Sequence, residues 1–166
     1  MGYSDQMTDS CDGPDVAAFR SFMSAHTLLV SAIERAFAQA KLPPLSWHDV
    51  LATLEGAPEG MLRIHELADE IVLSRSGATR LIDRIEADGL MRRERCGRDR
   101  RGAYAVITEE GRAVLERMRP VYRDAVEEHF LPHLGEEAGS VREALDRVID
   151  SARRAGAPEA EAEQAA

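Results

Sequence analysis

The residues best suited to chemistry are arginines crowded into one stretch. Between positions 75 and 101 stand nine arginines against five acids, Asp83, Glu86, Asp88, Glu94 and Asp99, a net charge of +4. The whole chain carries a formal −9, so everything outside that stretch carries −13. A basic segment in an acidic body is the charge distribution of a polyanion-binding surface whose remainder resists nonspecific sticking. A guanidinium presents a two-donor fork that fits phosphate oxygens or the edge of a guanine. The competing reading is an Arg-rich face that meets only water. Arginine is the general cation of this chain, since Lys41 is its only lysine, so placement has to decide.

Six of the nine arginines fall in two clusters. In the first, helical spacing puts Ala78, Leu81, Ile82 and Ile85 on one narrow apolar stripe. The opposite face carries Arg75, Ser76, Gly77, Thr79, Arg80, Asp83 and Arg84. Ser74, Ser76 and the helix N-terminus are placed to donate to phosphates, and Arg75 to reach a base edge. Gly77 costs the helix about 1 kcal/mol and clears space for a close backbone approach. The second cluster is a loop tip, residues 97–102, with Arg98, Arg100 and Arg101 around Asp99. A cationic tip of that size fits a minor groove, where the potential is most negative when the groove is narrow. Asp99 is the wrong sign for phosphate attraction. It reads as a brace for an arginine fork, either that of Arg101 or that of an arginine on the preceding helix.

These clusters need elements to hold them. Residues 1–14 read as a disordered tail. Pro14 and Asp15 suit the first turn of a helix. Val16, Phe19, Met23, His26, Val30, Ile33 and Phe37 then recur at spacings of three and four, a heptad-like seam. That helix ends before Leu42-Pro43-Pro44. Ser46 is expected to cap a second helix over 47–55. A short extended stretch, 62–64, leads to a third helix over 65–72 that buries Leu67, Ala68 and Ile71, with His65 in a poor cap position. The Arg-bearing fourth helix ends at Gly89, suited to a left-handed C-terminal position with Leu90 packing back. Strands are expected over 90–96 and 103–108, joined by the tip. Thr108 caps a fifth helix to about residue 130, burying Val114, Met118, Val121 and Ala125 and bent by Pro120. A sixth runs over 136–154 with Val141, Leu145, Val148, Ile149 and Ala152 on one side. Residues 155–166 read as a flexible tail.

Two closely joined helices followed by a hairpin predict a mainly α fold with a small β wing, a winged helix-turn-helix. Residues 45–108 form the DNA-binding module within a domain over 15–150. The helices over 15–41 and 109–154 are too long and too apolar on one side for so small a module, and a second copy of the chain is their simplest partner. The expected partners are double-stranded DNA and a second copy of the chain, and the expected function is sequence-specific transcription regulation. No Gly-rich phosphate loop, Gly-x-Ser-x-Gly or His-Glu-x-x-His appears, so no enzyme is expected. No Cys-x-x-Cys appears either, and neither a metal nor another cofactor is expected. No apolar run approaches the roughly 20 residues that span a bilayer. The polar, acidic N-terminus lacks a secretory pattern, so no membrane partner and a cytoplasmic location are expected. The rival reading is a winged helix that docks an acidic protein.

Residues 73–90, Leu-Ser-Arg-Ser-Gly-Ala-Thr-Arg-Leu-Ile-Asp-Arg-Ile-Glu-Ala-Asp-Gly-Leu, then Asp99-Arg-Arg, then Ile107-Thr-Glu-Glu-Gly111, resemble the MarR family of transcription regulators. The likeness covers roughly residues 15–150. It implies a homodimeric repressor on a palindromic operator, released by a small organic effector. It also implies that Arg101 enters the minor groove with Asp99 orienting it, and that residues 74–84 form the reading helix. The family's effector pocket lies between the dimerisation helices and the winged module, which points to His26, Trp47, His48, Met118 and Tyr122. Peroxide-sensing members carry a cysteine within the first helix, whereas Cys11 lies upstream of it and Cys96 lies at the wing. Zinc-sensing members place a histidine early in the second helix, which His48 matches, and a pair midway along the fifth, where Met118 and Tyr122 stand. His129 and His133 lie farther on, across Pro132.

Overall fold

A computed structural model describes residues 14–71, 75–95 and 103–156. Six α-helices and three strands follow in the order α1 Pro14–Gln39, α2 Leu45–Gly56, β1 Met61–Arg63, α3 Ile64–Glu70, α4 Arg75–Ala87, β2 Met91–Arg95, β3 Ala103–Ile107, α5 Glu109–His129 and α6 Ala138–Gly156, with short 3-10 turns at Pro58–Gly60, Leu131–His133 and Gly135–Glu137. The strands form one antiparallel sheet in the order β1-β3-β2, with Leu62 opposite Ala105 and Arg93 opposite Ala105 on its other side. This is the expected helical fold with a small wing sheet. The chain divides into two units, residues 1–126 and 127–166.

The larger unit holds two cores. The first gathers Val50, Leu51 and Leu54 from α2, Leu67 from α3, and Ala78, Leu81, Ile82 and Ile85 from α4, closed by Met91, Ala105, Ile107 and Leu115. The expected stripe of α4 is therefore its buried face. The second packs Ile33 and Phe37 of α1 against Met118 and Ala125 of α5. That corrects the reading of the α1 seam as wholly unpartnered, because its last turns find a partner inside the chain. Upstream, Val16, Phe19, Phe22, Met23 and Leu28 are exposed, Phe19 at 61%. On α5, Leu115 is fully buried while Val114 and Val121 are only half-buried, a stripe rotated slightly from the expected one.

Two helix starts differ from expectation. Ser46 does not cap α2, which begins two residues earlier than expected, at Leu45 behind Pro44, with no side-chain bond from its cap residue. Instead, Glu34 of α1 accepts the Leu45 N–H at 3.0 Å. A carboxylate from another helix satisfies an amide that a local hydroxyl usually would. At α3 the Glu66 carboxylate reaches back to the Arg63 N–H at 3.1 Å, doing what His65 cannot. The absence of a membrane-length segment also needs correction. Val16–Gln39 is long and apolar enough, by length and composition, to cross a membrane. Its middle relies on Ser, Thr and His for polarity rather than on charge, so a count of uninterrupted apolar residues misses it. Its C-terminal turns are built into the second core.

The smaller unit contains the two later 3-10 turns and α6. Val148 and Ile149 of α6 are exposed at 59% and 48%, and Leu131 is half exposed.

Candidate nucleic-acid interface

The placement of α4 begins with its ends. Gly89 adopts φ +76°. Its N–H donates to the Glu86 carbonyl at 2.9 Å, while the Leu90 N–H donates to Ile85 at 3.1 Å. This is the expected left-handed C-terminal cap, and Leu90 turns inward behind it, 8% exposed. Thr108, at the start of α5, closes the same corner. Its Oγ1 donates to the Gly89 carbonyl at 2.8 Å and accepts the Gly111 N–H at 3.0 Å. Its backbone N–H donates to the Leu90 carbonyl at 3.1 Å. The Ile-Thr-x-x-Gly pattern is thus a joint that fastens the end of α4 to the start of α5. Gly111 completes it, because a Cβ there would stand 2.0 Å from the Leu90 carbonyl oxygen.

With Ala78, Leu81, Ile82 and Ile85 buried, Thr79, Arg80, Asp83 and Arg84 face solvent and Gly77 is half-buried. The structure brings these together on one face of α4, as the helical spacing predicts. Arg75 and Ser76 lie in the first turn of that helix. Ser74 and the tip residues Cys96, Arg98, Asp99, Arg100 and Arg101 lie outside the described residues, as does Cys11.

One feature escaped the sequence reading. Arg93, on the edge strand β2, reaches across to α4. One guanidinium nitrogen lies 2.6 Å from Asp83 Oδ1 and another pairs with Glu86 Oε2. Glu86 also accepts the Arg93 backbone N–H at 3.0 Å. The hydrogen bond to Asp83 and the charge of Glu86 outweigh partial burial and push the Arg93 guanidinium further above its ordinary pKa. The only sequence signal was an arginine seven positions after a glutamate across a glycine turn, a spacing with no meaning until the strand folds back. A neighbouring pair, Arg92 with Glu94 at 2.5 Å, stays on the outer sheet face with Tyr104.

The five residues expected around an effector pocket have different places. Trp47 sits in the first core and Met118 is fully buried in the second. His48, 9% exposed, stacks on Tyr122 with ring centroids 4.5 Å apart, and its Nδ1 lies 3.2 Å from Asp49 Oδ1. Burial first, then the Asp49 charge, pushes the Tyr122 phenol above its ordinary pKa. His26 borders a cleft of about 600 Å³ that is also lined by Asp49 and Thr53 of α2, Glu70 at the end of α3, Ile71 just after it, and Leu81 of α4. His129 closes α5 and His133 lies in the following 3-10 turn. Among the described residues no three His, Cys, Asp or Glu side chains converge as a metal site.

A helix with its apolar stripe locked under a three-stranded wing and Arg80 and Arg84 outward defines a winged-helix, DNA-binding transcription regulator. The comparisons agree. Residues 41–102 match the family described as the MarR family. The HTH-type transcriptional regulator PecS of Dickeya dadantii is 30% identical over 129 residues, 76% of each chain. Sco3205 of Streptomyces coelicolor, a MarR family regulator solved in complex with DNA, is 30% identical, with a TM-score of 0.76 over 85% of this chain and 92% of its own. AbsC of the same organism, another MarR family regulator, is 27% identical with a TM-score of 0.77, covering 90% and 99%. The chain belongs to the MarR family.

Proposed function

We propose that this protein is a homodimeric repressor that reads a palindromic operator with α4 and the wing tip and leaves it when a small organic effector binds. The observation that carries the reading is the face of α4: Thr79, Arg80 and Arg84 outward, the whole apolar stripe inward. The DNA complex of the 30% identical Sco3205 supports it. Arg75 and Arg80 read base edges, Ser74, Ser76 and Arg84 hold phosphates, and Arg101, braced by Asp99, enters the minor groove beside Arg98 and Arg100. A two-fold dimer places its reading helices in half-sites roughly 34–36 Å apart. Working on DNA, the protein is cytoplasmic.

Mobility-shift titration on the DNA upstream of its own gene tests this. Arg75→Ala is expected to lose about 1–3 kcal/mol on the preferred site and to relax specificity there. Arg101→Ala is expected to weaken binding with a salt slope smaller by about 1. Wild-type binding by both variants would move the interface elsewhere.

The effector site in this reading is the cleft bordered by His26. Its volume suits a small organic molecule. Ile71 and Leu81 form its apolar part, and each belongs to the DNA-reading module. Asp49, Glu70 and Thr53 supply acceptors, so the effector offers hydrogen-bond donors. Ligand and DNA must weaken each other by the same factor. Asp49→Asn is therefore expected to keep ligand-free operator affinity while losing about tenfold in effector potency, as loss of a charge-assisted hydrogen bond implies. The check is a titration of the operator complex with compounds that raise the wild-type melting temperature. Unchanged potency would shift the sensor to the His48–Tyr122 stack.

A further inference from the structure

We infer that Arg93 is a positioning residue for operator reading: by holding Asp83 and Glu86 it fixes α4 against the wing strand and keeps two carboxylates from opposing DNA phosphate. The inference rests on α4 being the reading helix. Asp83 stands on the exposed face of α4, next in sequence to Arg84 and one turn from Arg80. An unpaired carboxylate at that place repels the phosphates its neighbours attract. Arg93 answers that charge from outside the helix, with one nitrogen 2.6 Å from Asp83 and another paired to Glu86.

An exposed ion pair alone contributes little. This one differs in what it joins. The fork engages two carboxylates at once, and Glu86 takes the Arg93 backbone N–H as well, at 3.0 Å. β2 is an edge of the sheet, and by taking this amide Glu86 satisfies a donor of the kind an edge strand otherwise leaves to water. One end of the clamp lies in the last turns of α4. The other lies on the strand that runs directly into the tip bearing Arg98, Arg100 and Arg101. Arg93 therefore couples the reading helix directly to the edge strand β2. Guanidinium geometry is needed for this, since a lysine keeps the charge but cannot fork.

The test compares Arg93→Lys, Asp83→Asn and Glu86→Gln with wild type by fluorescence anisotropy. The probes are the upstream duplex that wild type shifts and a scrambled duplex of equal length. Each variant is expected to bind the upstream duplex about tenfold more weakly, as loss of a coupled pair implies, with no loss on the scrambled one. The double variant Arg93→Lys/Asp83→Asn is expected to lose no more than the worse single variant. Circular dichroism and melting curves establish that each variant is folded. Asp83→Asn carries the decisive sign. If Asp83 were only a repulsive surface charge, its removal would tighten binding to both duplexes equally, and that result overturns the inference. Wild-type behaviour of Arg93→Lys overturns it too. If wild type fails to distinguish the two duplexes, the DNA-reading function itself fails, a different outcome from failure of the clamp.

Discussion

Gly111→Ala is expected to destabilise the protein by about 3 kcal/mol, at the upper end of the cost of overpacking. The reason is local and steric. The added Cβ would lie 2.0 Å from the Leu90 carbonyl oxygen and 3.0 Å from Ile107 Cγ1. The oxygen is backbone and already accepts the Thr108 N–H, so it cannot retreat without breaking the cap that ends α4. Elsewhere in a helix the same change stabilises, because alanine is the better helix former by about 1 kcal/mol. For a chain of this size the loss corresponds to a fall in melting temperature of roughly 6–12 °C. Thermal unfolding followed by circular dichroism reads it directly. Gly139, on α6 with nothing within 4 Å of its Cβ position, is the control: Gly139→Ala is expected to be neutral or slightly stabilising. Equal effects at both positions would mean that the joint between α4 and α5 is not packed as described.

The second large effect concerns assembly. In the proposed homodimer, Phe19→Glu is expected to leave the protein monomeric at micromolar concentration and to weaken operator binding by about 100-fold or more, the loss expected when two linked half-site contacts become independent. Phe19 is 61% exposed and lies beside exposed Phe22 and Met23 on the same helix, the kind of apolar patch that marks a protein interface. Ile33 and Phe37, farther along, are buried inside the chain, so a charge at position 19 spares the fold. Light scattering with parallel anisotropy titration checks both parts. A variant that stays dimeric would take α1 out of the interface.

The arrangement of α4 was legible because its stripe obeys a single period and Gly89 punctuates its end. The wing strands were legible from Leu90-Met91 well before, and the run from Ala103 to Ile107 after, a Gly-Arg-rich tip. Less visible were contacts made by side chains distant in sequence. Glu34 capping α2 and Arg93 clamping α4 depend on how elements cross, which periodicity does not encode. The α1 seam misled in part for the same reason. Its apolar spacing is continuous from Val16 to Phe37, but α5 covers only the last turns. The effector residues were named on the family resemblance, which gives a region, not a lining. Trp47 and Met118 are as apolar as a core requires, and the core has them, while Asp49, Thr53 and Glu70 border the cleft without any spacing that marks them.

The central claim is that the arginines around α4 read DNA sequence. The most direct measurement is the affinity of wild-type protein for the duplex upstream of its own gene and for a scrambled duplex, across a salt series from about 50 to 200 mM. The expected result is a preference of about 1,000-fold or more for the upstream duplex, with affinity for both falling log-linearly and steeply as salt rises. Equal binding to the two duplexes, or none to either while an acidic protein partner is retained, would contradict it and leave the winged module a protein-docking surface.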